Sequence, residues 1–351
     1  MLPFGKRDNY LDPYIIAEIG VNHEGSVERA MFQIEAVARA GGHAAKFQTY
    51  KAETIASRDH SPSYWDRRQE STPTQFELFS KLDTFGADDY RLLANHCKKV
   101  GIDFLSTPFD LEAVDSLDAL VPYFKVASAD ITNMPLLRKV GQKGKPVILS
   151  VGASSFAEMD AALNILTVSG ATDVALMHCV LQYPTPLADA NLSAIPTLKR
   201  RYGEQCTIGY SDHVAPSHTG DLPALDMAAL FGAQVIEKHF TDDRNAKGND
   251  HYHAMDELGL AAFRDRLGTY RAMLGTGEPD LVVQAAARAN ARRRIFVTRD
   301  VLPGQKLSEA NLIALRSNVG IEVSKWDSIV GRTASKILSA GEPVTIDAIQ
   351  E

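Results

Sequence analysis

The sequence predicts an α/β protein: a (β/α)8 barrel of the TIM type followed by a small, mostly β domain. Three observations predict it. Eight short β-rich runs alternate with segments of helical periodicity. Almost every run ends in polar residues. The last stretch of chain abandons this alternation for short runs separated by turns.

The runs occupy 14–20, 44–50, 104–109, 123–128, 146–152, 174–180, 207–213 and 235–240. Between the first two, residues 27–40 place Met31, Ile34, Val37 and Ala38 on one helical face, and Gly41-Gly42 stops the helix. So many βα units in tandem are expected of a barrel. A doubly wound sheet usually has fewer strands, and its GxGxxG turn is absent here. Residues 51–87 make one long connection; its Tyr64 and Trp65 predict a folded loop on the substrate side. After the helix ending near Leu274, GTGEPD breaks the chain, and 281–290 reads as an Ala-rich linker or short helix. From Ala291 onward, RRRIFVTRDVLPGQKL and ASKILSAGEPV each join a β-rich run to a turn. The expected organisation is a barrel over 1–275, a linker over 276–290 and a small domain over 291–351. A barrel of ~250 residues plus one small domain accounts for the length.

A net charge of -7 argues against non-specific nucleic-acid binding, which needs a basic surface. It leaves room for a local basic patch around a small anion. Cys97, Cys179 and Cys206 form no CxxC pair and no disulfide framework, which points to a reducing, cytoplasmic setting. The first residues lack the apolar core of a signal peptide, and the apolar runs are too short and too interrupted to span a membrane.

The strand ends carry the chemistry. They hold Glu18, then Lys46 and Gln48, the Ser106–Asp110 stretch, Lys125 and Ser128, Ser150, His178 with Tyr183, the Tyr210–His213 stretch, and Glu237, Lys238 and His239. In a barrel these positions converge on one face. Charged groups inside parallel strands are costly to bury, so a cluster at one end points to a ligand. His213 and His239 end consecutive strands, which lie ~4.8 Å apart. Two imidazoles so placed suit one first-row divalent ion, with positions left for water and substrate. Alternatively each hydrogen-bonds a neighbouring carboxylate. Lys46, Lys125, Ser128, Ser150 and Ser211 offer the donors for an anion such as phosphate. Alternatively the lysines pair with Glu18 and Glu237, or one forms a Schiff base as in metal-free barrel aldolases. The stretch from Lys247 to His253 reads as a loop that closes over the mouth or a solvated loop. It makes His251 and His253 possible ligands or substrate contacts. His23, His96 and His218 read as structural or surface histidines.

At these residues the chain resembles the sialic acid synthase family, whose members condense phosphoenolpyruvate with an N-acetylated amino sugar to make nonulosonic acids. The matching motifs are IIAEIGVNHEGS (15–26), KFQTYKAET (46–54), STPFD (106–110), FKVASADITNMPLL (124–137), ILSVG (148–152), HC-x-x-x-YPTP (178–186), IGYSDH (208–213) and EKHFT-x-D (237–243). The tail resembles that family's antifreeze-like (SAF) domain. The resemblance implies metal ligands at His213 and His239, with Mn2+ as the usual ion and Mg2+ or Co2+ as alternatives. It implies phosphoenolpyruvate contacts at Lys46, Lys125, Ser128, Ser150 and Ser211. It implies catalytic roles for Glu18, Tyr183, Glu237 and Asp250, and sugar contacts at Gln48, Asp250 and Arg316. The arginine is expected from the partner subunit of a domain-swapped homodimer. Trp326 is expected in the small domain's core.

Some positions depart from the family pattern. SADITN stands where SGEITN is common, SVGA where STGM is common, and Leu181 where some members have asparagine. HYHAMD replaces a KASLEP-like stretch after Asp250. These departures leave the sugar open between N-acetylmannosamine, its 6-phosphate and a bacillosamine-derived sugar leading to legionaminate or pseudaminate. The rival readings are a class I aldolase using Lys125 or Lys46, a non-catalytic carbohydrate-binding protein, and a metal hydrolase. The last is disfavoured because the first strand lacks HxH.

Overall fold

Eight parallel strands form where the β-rich runs lie: β1 Tyr14–Gly20, β2 Ala44–Thr49, β3 Asp103–Pro108, β4 Phe124–Val126, β5 Val147–Ser150, β6 Val174–Cys179, β7 Thr207–Asp212 and β8 Val235–His239. The computed structural model describes residues 11–65, 67–68, 70–248 and 250–350, so the N-terminal stretch read above for a signal peptide lies outside the described residues. The strand order is β3-β2-β1-β8-β7-β6-β5-β4. Pairing of β1 with both β2 and β8 joins the first strand to the last. β3 and β4 lie side by side without a ladder, so the barrel is nearly closed.

The helices follow from local signals. α1 (Val27–Arg39) starts at Ser26, whose side chain accepts the Arg29 N–H, and carries Glu28 in its first turn and Arg39 in its last. Gly41, at φ +81°, takes the left-handed turn out of it. The long connection folds as expected around α2 (Ala52–Ile55) and α3 (Gln75–Leu82). Among the described residues, no helix is long and apolar enough to cross a membrane.

Alternation along the strands decides which residues reach the barrel interior. Tyr14, Ile16, Ala44, Leu105, Tyr123, Ile148, Ala175, Met177 and Val235 pack together as an apolar floor. Gly209 faces the same space, where a Cβ would lie 2.5 Å from the Val235 carbonyl oxygen. The next inward positions are Glu18, Lys46, Thr107, Lys125, Ser150, Cys179, Ser211 and Glu237. The floor lies below them, and they face the C-terminal mouth.

The same alternation corrects part of the expected cluster. His178, Tyr210, Asp212 and Lys238 point outward into the helix layer. Lys238 Nζ lies 2.7 Å from Asp212 Oδ2 and 2.7 Å from the Val214 carbonyl. The Tyr210 hydroxyl donates to Asp212 Oδ1 at 2.7 Å. His178 stacks on Tyr210 and bonds the Ala190 carbonyl oxygen at 2.9 Å. Their polarity is met by the protein itself, so they need no ligand.

The chain divides at residues 274 and 275 into two units. The second, from Gly275, has the helix Ala285–Asn290 as its first regular element, so the linker region is partly helical. It then pairs β9 (Arg293–Val297) antiparallel with β10 (Leu312–Arg316) over a core that includes Ile295, Leu307, Leu338 and Val344. Trp326 packs at the edge of that core, partly buried. Arg316 is the last residue of β10 and is exposed.

Candidate active site

A cavity of about 580 Å³ opens at the C-terminal mouth of the barrel. Every expected site residue of the barrel unit lines it; Arg316 belongs to the second unit. Ser128 is not on its strand, as expected, but starts a short turn after β4.

The cavity base holds two ammonium groups and two carboxylates. Lys46 Nζ lies 2.5 Å from Glu18 Oε2 and 3.8 Å from Glu237 Oε2, and it donates to Thr107 Oγ1 at 3.1 Å. Lys125 Nζ lies 3.7 Å from Glu237 Oε1. Ser211 Oγ donates to Glu237 Oε1 at 3.1 Å, and Gln48 Nε2 donates to Glu18 Oε1 at 2.9 Å. The lysine–carboxylate pairing weighed as an alternative is therefore present. It coexists with donors that still need partners. The Ser150 hydroxyl is buried without a hydrogen bond. A buried polar atom of this kind signals a ligand or a solvent partner.

Charge at the base is tuned by burial against pairing. Burial opposes the charge on Lys46, but Glu18 and Glu237 outweigh it and hold the ammonium above its ordinary value. Lys125 is pushed down by burial and by Lys46, with Glu237 only partly compensating. Burial would raise Glu237, yet Lys125 and Lys46 keep it below the usual carboxylate range. Burial drives the Tyr183 phenol well up.

Above the base stands a group of rings. His213 and His239 have ring centres 5.4 Å apart, and Tyr183 lies 4.1 Å from His213. His213 Nδ1 donates to the Val180 carbonyl at 2.7 Å, which leaves Nε2 as the nitrogen available to a ligand. His239 Nδ1 lies 3.2 Å from Asp250 Oδ2. Asn22 helps position Asp250 by accepting its backbone N–H at 3.2 Å. Among the described residues, the donors that converge within 4.8 Å of one another are those of His239, Asp250 and His253. His213 stands beside that set. The imidazoles and carboxylate fit a divalent cation by donor chemistry.

The structure separates the two loop histidines that sequence left together. His251 is buried with Nδ1 2.7 Å from Thr241 Oγ1 and Nε2 3.3 Å from Glu24 Oε1, so it supports the loop. His253 faces the ring group, 4.7 Å from His239. Cys179 was missed altogether. It follows Ala175 and Met177 at a spacing of two, which could have placed it inward. Its Sγ lies 3.8 Å from His213 Nδ1.

The outer wall comes from the long connection. Ile55, Tyr64, Trp65, Leu78, Phe79 and Leu82 line it. Trp65 Nε1 donates to the Glu70 carbonyl at 3.0 Å, and the Tyr64 ring lies 6.3 Å from Tyr183. Ile55 belongs to α2 and Leu78, Phe79 and Leu82 to α3, whereas Tyr64 and Trp65 lie in irregular chain that no period marks.

Comparison with known proteins gives the same account of both units. The NeuB family profile matches residues 33–279, and the SAF domain profile matches residues 292–350. An uncharacterized protein of Methanocaldococcus jannaschii is 37% identical, covering 91% of this chain and 89% of its own. The N,N'-diacetyllegionaminic acid synthase of Campylobacter jejuni is 34% identical over 92% of this chain and 96% of its own. The crystal structure of an N-acetylneuraminic acid synthetase from Leptospira borgpetersenii superposes with a TM-score of 0.68 at 34% identity, covering 79% of this chain and 91% of that one.

Proposed function

The chain belongs to the NeuB family, and from that premise we propose that it condenses phosphoenolpyruvate with an N-acylated amino sugar. The products are a nonulosonic acid and phosphate. One observation carries the reading: two buried lysines and a serine hydroxyl without a partner sit at the base of a cavity rimmed by histidines. Phosphoenolpyruvate is a small polyanion, and Lys46, Lys125, Ser128, Ser150 and Ser211 supply its donors. A divalent ion held by His213 and His239, Mn2+ in this reading, supplies a Lewis acid for the sugar aldehyde.

The chain's own groups then divide the work. C3 of phosphoenolpyruvate attacks the aldehyde carbon, and the former carbonyl oxygen takes a proton. Tyr183, kept protonated by burial, is the nearby donor. Positive charge develops at C2 and is stabilised by Glu18. Water adds there and gives its proton to Glu237, which the lysines hold ionised. Collapse of the adduct breaks the C2–O bond, the C2 hydroxyl proton leaves with the phosphate as the ketone forms, and the proton taken by Glu237 makes good the one given by Tyr183.

Among the cavity's lining residues the lysines and arginines are Lys46 and Lys125, both at the base. The outer wall is largely apolar. This favours an unphosphorylated sugar with acylated or deoxygenated positions over a sugar 6-phosphate. In this reading the partner subunit's Arg316 completes the sugar end of the site.

A phosphate-release screen tests the whole reading. It offers phosphoenolpyruvate and Mn2+ with N-acetylmannosamine, its 6-phosphate and 2,4-diacetamido sugars. Diacetamido sugars are expected to turn over fastest and the 6-phosphate slowest. No release with any sugar would sink the condensation, and preference for the 6-phosphate would sink the sugar assignment. The depressed Lys125 favours one second reading, a Schiff-base aldolase. Borohydride trapping of a pyruvate adduct would support it.

A further inference from the structure

His253 is a buried group that the proposed reaction leaves without work. Its side chain is fully buried, and neither ring nitrogen has a hydrogen-bond partner. Buried imidazole nitrogens are normally satisfied, so this residue calls for a partner. Aromatic packing against Tyr252, at 4.8 Å, and Tyr183, at 5.6 Å, fills space but meets neither nitrogen.

Its surroundings point to a cation. The ring centre lies 4.7 Å from that of His239 and 6.0 Å from that of His213. Its Nε2 lies 4.0 Å from Asp250 Oδ1. Imidazoles that share one ion at ~2.1 Å have ring centres roughly 4.5–5.5 Å apart. The spacings of His239 to His253 and to His213 fall in that range, and that of His213 to His253 lies just beyond it. The donors of His239, Asp250 and His253 already converge within 4.8 Å of one another.

We propose that His253 is a third imidazole ligand of the divalent ion, joining His213 and His239 beside Asp250. The proposal rests on the metal reading given above and deepens it. His253 comes from the HYHAMD stretch where this chain departs from the family pattern, so the ligand belongs to this chain's own sequence. A third neutral imidazole tightens binding. It also moves preference away from Mn2+ toward Co2+ and Zn2+, which imidazole suits better. Open positions remain for water and the sugar oxygen.

Metal binding to the EDTA-stripped full chain tests this without any turnover. Calorimetry measures Co2+ and Mn2+ affinity for the wild type, His253→Ala, His253→Phe and His239→Ala. The Phe variant fills the ring's space without donors, and melting of the metal-free proteins checks that each is folded. The wild type is expected to bind one ion per chain. Both His253 variants should bind Co2+ about 10–100-fold more weakly, at least the cost of losing a supporting contact to a ligand. Their preference for Co2+ over Mn2+ should shrink, and the visible spectrum of bound Co2+ should change. Wild-type Co2+ affinity and spectrum in both folded His253 variants, with binding lost in His239→Ala, would overturn this proposal alone. No ion bound by the wild type, or binding indifferent to His239→Ala, would overturn it together with the metal reading beneath it.

Discussion

Lys46 Nζ lies 2.5 Å from Glu18 Oε2, and both side chains are almost wholly excluded from solvent. Such a pair is weak evidence for stability, since desolvation offsets its Coulomb attraction. Removing one partner is a different matter, because the other charge stays buried and unpaired. Lys46→Ala leaves Glu18 so exposed to that cost, with Glu237 losing one of its two lysines. We expect a loss of about 3–5 kcal/mol in urea unfolding. Lys46→Ala should also raise the phosphoenolpyruvate KM far more than the sugar KM. Equal changes in the two KM values would remove Lys46 from the anion site.

The barrel was legible because its signal is periodic. Tyr14, Ile16 and Glu18 lie on one face of β1, and a spacing of two continues from Ala44 to Lys46 and from Val235 to Glu237. Reading polar strand ends without that alternation swept in His178, Tyr210, Asp212 and Lys238, which satisfy one another behind the barrel wall. It also passed over Cys179, which looks apolar yet lies on the inward face. Tyr64 and Trp65 could be assigned only to a loop, since an irregular segment has no period to show where a ring points. Sequence offered His251 and His253 alike as possible ligands; telling them apart required three dimensions, because the neighbours of His253 come from β8 and from the β7 end.

Misread as a catalytic ion pair, Asp212 and Lys238 would draw mutagenesis to the wrong place. Asp212→Ala leaves Lys238 buried with one remaining partner, the Val214 carbonyl. The expected result is a lower unfolding free energy by about 3–5 kcal/mol. In the folded fraction the ratio of the two KM values should stay unchanged. A selective change in either KM would mean that the pair reaches the cavity after all.

His23 makes stability depend on pH. It is buried, stacked on Phe85 at 4.0 Å, and accepts the Gly25 N–H at Nδ1. Burial, helped by Arg29, lowers its pKa from 6.5 to about 4. Between those values the unfolded chain binds the proton and the folded chain does not. Stability is therefore full above the unfolded value and falls as pH drops from 6.5 toward 4, by about 2 kcal/mol at pH 5 from this group. Unfolding free energies of the wild type and His23→Gln at pH 7 and pH 5 measure it. An equal pH dependence in both would clear His23 of the effect.

Trp65 and the apolar wall should act on the sugar alone. Its indole is anchored to the Glu70 carbonyl at 3.0 Å, so the ring is held in the lining of the cavity. Trp65→Ala should raise the KM for the preferred sugar about tenfold, the effect of losing ~1.4 kcal/mol of contact. Discrimination among N-acyl sugars should narrow, with the phosphoenolpyruvate KM near its original value. A change confined to phosphoenolpyruvate would place the wall at the other substrate.

Arg316 ends β10 in the second unit with its side chain exposed. If the partner subunit's Arg316 completes the sugar end, Arg316→Ala raises the sugar KM more than the phosphoenolpyruvate KM. That result alone does not say which subunit supplies the arginine. Co-expression of Arg316→Ala with His239→Ala does. In a mixed dimer the Arg316→Ala barrel keeps its His239 and receives an intact arginine from its partner, so one complete site forms. Random pairing makes half of the dimers mixed, each with one complete site, and predicts about a quarter of wild-type activity at sugar far below the Arg316→Ala KM. An arginine acting within its own chain predicts no gain over the two single variants, because every site then lacks either Arg316 or His239. Activity in the mixture near the sum of the two single variants would therefore remove the cross-subunit contact.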